Sequence, residues 1–154
     1  MAERTLIIIK PDGIQRRLAG EVISRFERKG LKLVAAKLMQ ISREQAERHY
    51  AVHKGKPFFP RTVEYLSSGP VLAMVWEGDG VIAMSREMMG STFGAQAKPG
   101  TIRGDFSSSR QMNLVHASDG PEAAQREIAL YFKPAEICEF EPTITPWLRA
   151  ADEY

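Results

Sequence analysis

The sequence predicts an α+β fold: a ferredoxin-like βαββαβ sandwich, with an antiparallel sheet and helices on one face. A helical insertion follows strand two, and a long glycine-rich loop precedes strand four. Three observations predict this. Apolar, strand-sized runs fall at 5–9, 33–40, 71–77 and 113–117. Helical patterns separate them in the order strand, helix, strand, insertion, strand, helix, loop, strand, helix, which gives two βαβ-like units in tandem. The 154 residues suit one domain, 1–154, that buries about 70% of its unfolded surface without disulfides or structural metal. A doubly wound parallel sheet is the competing topology.

Taken in order, residues 5–9 are β-branched and apolar, and Pro11-Asp12-Gly13 closes them with turn chemistry. Residues 20–29 read as a helix: Val22, Ile23 and Phe26 form a stripe, Glu21 and Arg25 pair at i,i+4, and Gly30 suits the position past its end. After strand 33–40, Ser42 and Gln45 make a capping box for a helix through about His53. A second short helix is expected within 57–69. Pro70 leads into strand 71–77, and Val81 to Met89 is helical up to Gly90. Residues 90–104 hold four of the twelve glycines, plus Pro99, and no periodicity, so a functional loop is expected there. Strand 113–117 is followed by Ser118-Asp119-Gly120-Pro121, a helix start with Pro121 at its first position. Ala124, Ile128, Tyr131 and Phe132 supply that helix's apolar face. Beyond Pro134 the chain is irregular, and Trp147 is expected to dock on the body.

Hydrophobic residues at 44% and charged residues at 26% exclude a disordered or collagenous chain. Twenty-one Lys+Arg against 19 Asp+Glu, a net +2, gives no reason to expect binding to nucleic acid by global charge. It leaves room for a local cationic site that takes a small anion. A lone Cys138 excludes an intramolecular disulfide and fits a reducing, cytoplasmic location. No apolar run approaches the roughly 20 residues of a membrane helix, and none resembles a signal-peptide core.

Several motif readings fail. A Walker phosphate loop is absent. Gly78-Asp79-Gly80-Val81-Ile82-Ala83 fits the loose G-x-G-x-x-A form, but Lys98, Pro99 and Gly100 stand where a ribose-binding acid belongs, so it reads as a turn. His49 and His53 share an i,i+4 face as zinc ligands do. Tyr50 follows where a zincin needs Glu, so solvated helix histidines and no metal site are expected. Cys138 has no local basic partner and is expected to be inert.

His116 ends an apolar run just before a helix N-terminus, whose partial positive charge favours an anion beside the imidazole. Glu127, at the edge of the next helix's apolar stripe, can bend back to one ring nitrogen and leave the other as nucleophile. A strand-end histidine and a solvated glutamate explain the same residues equally well. Asn113 and His116 are three apart and would face opposite sides of a regular strand, so a shared site needs the strand to end or bend between them. Lys10, Arg86 and Arg103 each read singly as surface charge. Converging, they would clamp a polyphosphate.

These residues sit in recognisable segments: Ile9-Lys10-Pro11-Asp12-Gly13, Tyr50 with Pro57-Phe58-Phe59, Met74-Val75-Trp76-Glu77-Gly78, Pro99 to Phe106, and Asn113-Leu114-Val115-His116-Ala117-Ser118-Asp119. Together, from about Thr5 to Trp147, they resemble the nucleoside diphosphate kinase family. The resemblance implies a ping-pong transfer of the γ-phosphate from a nucleoside triphosphate to a nucleoside diphosphate through phosphohistidine at His116. It implies that Glu127 orients the ring, that Ser118 supports Glu127, and that Lys10, Tyr50, Arg86, Thr92, Arg103 and Asn113 hold phosphates and ribose. Phe58 would stack on the base, and stacking tolerates any base. Mg²⁺ would arrive on the nucleotide phosphates, with no protein ligand set. It also implies a homo-oligomer, and the extension past Phe140 favours a hexamer over a tetramer.

Three departures stand out. Ala117 replaces a glycine and is expected to be tolerated, since a Cβ fits a β-region backbone. Phe93-Gly94 replaces an Asn-Pro pair in the glycine-rich loop. Arg110 replaces an apolar residue near the base. Two other functions compete: a ferredoxin-like RNA-binding module, whose RNP1 signature is missing, and a nucleotide-binding regulator without turnover.

Overall fold

Residues Thr5 to Ile9 are all fully buried, so the strand they form is covered on both faces. The computed structural model describes residues 2–153. Its strands are β1 (Glu3–Ile9), β2 (Lys32–Gln40), β3 (Pro70–Gly78) and β4 (Val115–Ala117). Its helices are α1 (Pro11–Gln15), α2 (Ala19–Arg28), α3 (Arg43–His49), α4 (Phe59–Leu66), α5 (Val81–Met89), α6 (Ile102–Phe106), α7 (Pro121–Tyr131) and α8 (Thr145–Leu148). Every strand pair is antiparallel, in the order β2-β3-β1-β4, which is the ferredoxin-like arrangement rather than the parallel alternative.

The period-two alternation of β1 and β3 separates two apolar layers. Ile7, Ile9, Met74 and Trp76 face the crossover helices α2 and α5, where Val22, Phe26 and Val81 meet them and Phe26 stacks on Trp76 at 5.2 Å. Leu6, Ile8, Ala73 and Val75 face the opposite layer, built from Ala46 of α3, Val63 and Leu66 of α4, and Tyr131 of α7. The crossover helices therefore keep to one face as expected, while the insertion and α7 cover the other. Both faces of β1 and β3 are thus covered, while the later half of the edge strand β2 stays open, with Leu38 67% exposed.

Several local expectations are corrected. Pro11-Asp12-Gly13 opens α1 instead of ending at a turn, since proline is pre-set for a first helical turn. The capping box at Ser42 and Gln45 forms, but α3 ends at His49 and a separate 3-10 turn spans Ala51–His53. The stretch 90–104 is not unstructured: it holds a 3-10 turn at Gly94–Gln96 and the start of α6. The cap of α6 is Thr101, whose hydroxyl accepts the Gly104 N–H at 3.0 Å. Gly94 is demanded by packing, because a Cβ there would lie 2.4 Å from the Ser107 carbonyl oxygen. Trp147 does not dock on the body. It sits in the single turn of α8 and is 89% exposed, while an Arg149–Asp79 ion pair tethers that segment.

Candidate active site

The fourth strand starts late, at Val115 instead of Asn113, and this brings the site together. Leu114 has φ +74°, and the Val115 N–H donates to the Asn113 carbonyl at 2.9 Å, closing a γ-turn of the rare positive-φ kind. β4 begins only after it, with His116 opposite Ile8 and on the α7 side of the sheet. The turn removes the strand parity that would have pointed Asn113 away from His116.

His116 Nε2 lies 2.7 Å from Glu127 Oε1. The same oxygen accepts from Ser118 Oγ at 2.9 Å, and that hydroxyl in turn accepts the Leu6 N–H at 3.2 Å. Glu127 and Ser118 are both buried. An ionised carboxylate only accepts, so Nε2 carries the proton and Nδ1 keeps its lone pair. Burial, reinforced by Lys10, Arg86 and Arg103, holds the His116 pKa well below the ordinary imidazole value.

The three cations come from separate elements. Lys10, between β1 and α1, is buried and donates from Nζ to Asn113 Oδ1 at 2.8 Å. Burial and the neighbouring Arg103 push its pKa down to about 7. Arg103 of α6 is buried rather than a surface charge, and its pKa is lowered to about 10 by burial and Arg86. Its guanidinium donates to three carbonyls: Asn113 at 3.1 Å, Gly90 at 3.0 Å and Val115 at 2.7 Å. Arg86 of α5 donates to the Ala117 carbonyl at 3.2 Å. Among the described residues none of the three pairs with a carboxylate, so their charge is oriented but not neutralised.

A row of rings leads away from His116. His49 packs edge-on to it at 4.4 Å, Tyr50 lies 4.7 Å from His49 and 6.5 Å from His53, and Phe58 lies 5.3 Å from His53. Phe58 ends the row, 46% exposed. Burial raises the Tyr50 hydroxyl above its ordinary pKa, so it stays a neutral donor. Thr92 is exposed, and its carbonyl accepts from Asn113 Nδ2 at 3.1 Å. Arg86 and Thr92 line a cavity of about 760 Å³; a larger groove, about 1110 Å³, lies along Ile128 and Phe132 and holds none of these residues.

His49 corrects the sequence reading. It is 4% exposed, with Nδ1 bonded to the Tyr131 hydroxyl at 3.0 Å, and is no solvated helix histidine. Glu127 and Tyr131 are one turn apart on α7, so one helix face engages both imidazoles. The available signal was the i,i+3 spacing of His49 from Ala46, which put both on the core side of α3. His49, His116 and Glu127 place ligand atoms within 4.8 Å of one another. The carboxylate is already engaged by His116 and Ser118, and three cations face the cluster. This set does not suit a hard, oxygen-seeking cation such as Mg²⁺.

Residues 3–137 match the sequence profile described as nucleoside diphosphate kinase. The chain belongs to the nucleoside diphosphate kinase family. It is 57% identical over 146 residues to the nucleoside diphosphate kinase of Trichormus variabilis, covering 95% of this chain and 98% of that one. It is 58% identical to that of Carboxydothermus hydrogenoformans over the same shares. Among solved structures, a halophilic nucleoside diphosphate kinase from Halobacterium salinarum in complex with CDP superposes with TM-score 0.94 at 45% identity, covering 97% of this chain and 99% of that one. A Babesia bovis protein of the family gives 0.92, also at 45% identity, over 96% of this chain and 99% of that one. As a member of this family the chain is a phosphotransferase that moves phosphate between nucleotides.

The departures from the family pattern have local explanations. Ala117 pairs with Ile7 inside β4 and is not among the positive-φ residues, so its methyl is unstrained. Arg110 stacks its guanidinium 4.7 Å from the Phe93 ring, tying the two flanking loops together.

Proposed function

We propose that His116 is the group that carries the phosphate. Its Nδ1 lone pair attacks the γ-phosphorus of a nucleoside triphosphate, the bond to the bridging oxygen breaks, and the nucleoside diphosphate leaves with that electron pair. A β-phosphate oxygen of a second nucleoside diphosphate then attacks the phosphorus and releases Nδ1. Forming the N–P bond puts positive charge on the ring, which the Glu127 carboxylate at Nε2 offsets while Ser118 fixes that carboxylate. Lys10, Arg86 and Arg103 neutralise the transferring phosphate, with Tyr50, Thr92 and Asn113 positioning phosphate and ribose, and the exposed Phe58 ring stacking on the base.

The observation that carries this reading is a neutral imidazole, bonded to Glu127 through Nε2, beside three cations that pair with no carboxylate among the described residues. Mg²⁺ enters as part of the nucleotide substrate, bound by its phosphates. Initial-rate kinetics with two different nucleotides test the reading: parallel double-reciprocal lines support a ping-pong path, and intersecting lines contradict it.

We further propose that the chain works in the cytoplasm as a homo-oligomer, a hexamer rather than a tetramer. Phe140, Ile144, Trp147 and Leu148 lie exposed in the C-terminal segment, apolar surface that a second copy would cover. Light scattering that finds an active monomer would contradict this.

A further inference from the structure

We infer that Asp12 is a positioning residue for phosphate transfer: its carboxylate holds the γ-turn at Leu114 that brings Asn113 and His116 to one site. This rests on the transfer through His116 proposed above.

A leucine is not at rest at φ +74°, and Leu114 is 1% exposed in the apolar core, so surrounding contacts must impose the conformation. The backbone groups of the turn are engaged. The Leu114 carbonyl accepts the Lys10 N–H at 2.8 Å. The Asn113 carbonyl accepts from Val115 N–H at 2.9 Å and from Arg103 Nε at 3.1 Å, and Arg103 reaches the Val115 carbonyl at 2.7 Å. The Leu114 N–H alone goes to an acidic side chain, donating to Asp12 Oδ2 at 3.1 Å. The other carboxylate oxygen accepts from the Tyr65 hydroxyl, so Asp12 ties α1, α4 and the turn together. The next residue, Gly13, lets α1 come this close. A Cβ there would lie 2.7 Å from Ile9 Cγ2 and 3.0 Å from the Leu114 carbonyl oxygen.

Without Asp12 a buried N–H would lose its acceptor, and an extended Leu114 would become competitive. Extension restores the strand parity that carries Asn113 to the far face. Asn113 would then lose both Lys10 Nζ and the Thr92 carbonyl. Asp12 has a second route to the site, because its charge favours the Lys10 ammonium. The two routes separate cleanly, since Asp12→Asn keeps an oxygen for the Leu114 N–H and an amide for Tyr65 while removing the charge.

The test is the single-turnover rate of phosphoenzyme formation from ATP in full-length wild type, D12N, D12A, N113A and D12A/N113A, each shown folded at the assay temperature. D12A is expected to slow the step about 10- to 100-fold, the range for residues that act through one another, and D12N less than about 3-fold. In the N113A background D12A should cost less than about 3-fold further. If D12N is as slow as D12A, the charge on Lys10 is what matters and the inference is overturned. Equal costs in both Asn113 backgrounds overturn it as well. Should D12A not fold, D12S takes its place under the same two criteria. A wild type that forms no phosphoenzyme is a different failure, that of the His116 reading itself.

Discussion

Glu127 Oε1 sits 2.7 Å from His116 Nε2 and, four residues further along the same helix, Tyr131 bonds His49, the ring packed against His116. One helix face thus fixes both the tautomer and the tilt of the imidazole. Glu127→Gln presents an uncharged group at Nε2 and removes the counter-charge for the phosphorylated ring. Transfer should fall on the order of 10²–10³-fold, the scale of losing one preorganised transition-state contact, with nucleotide KM little changed. Rapid-quench kinetics check this. A loss confined to KM would assign Glu127 to nucleotide binding instead.

Replacing the neighbouring ring tests packing apart from charge. His49→Ala removes the surface against which His116 rests, whereas His49→Phe keeps a ring of similar size. The alanine variant should slow phosphoenzyme formation about tenfold or more, and the phenylalanine variant should recover most of that, because a small misplacement of the reacting ring is costly. Equal rates in the two variants would show that His49 acts through its nitrogens.

The pH behaviour follows from two groups, His116 and Lys10. His116 is held neutral well below the ordinary imidazole range, chiefly by burial, so its reactivity should stay level as pH falls from 8 toward 6. An acid limb centred at or above about 6.5 would contradict this. Lys10 titrates near about 7 in the free protein, so above that pH it is mostly neutral, and a bound polyphosphate restores its proton. Nucleotide binding at pH 8 should therefore take up a proton, read by calorimetry in buffers of different ionisation enthalpy and absent in Lys10→Arg.

Folding stability carries the matching sign. His49 and His116 both have folded pKa values lowered well below 6.5, so the unfolded chain binds protons that the folded chain refuses. Stability is full above the unfolded value and is lost as pH falls through it. The urea midpoint should drop between pH 7.5 and pH 5.5, and an unchanged midpoint would refute the burial of these rings in their neutral form.

Much of the fold was legible because its signals are local. The capping box at Ser42, the Glu21–Arg25 pair and the bounds of α5 are read from residues within one turn of each other. The site was legible only in its parts. His116 and Glu127 were a plausible pair, and the need for a bend before His116 was visible in the spacing, but nothing in Leu114 itself marks a positive φ. That conformation is imposed by Asp12 and Lys10, about a hundred residues away in the chain. His49 looked solvated because it was read with His53 as one helix face, and its true partner Tyr131 is 82 residues distant. Trp147 shows the opposite error: an apolar side chain need not be covered within its own chain.

The central claim, that His116 Nδ1 carries the phosphate, is tested most directly by incubating the protein with γ-labelled ATP and isolating it before a second nucleotide is added. The wild type should retain one acid-labile, base-stable phosphoryl group at His116, discharge it to added GDP as labelled GTP, and lose both steps in His116→Ala. Full nucleotide exchange by His116→Ala, or label that withstands acid, would contradict the account.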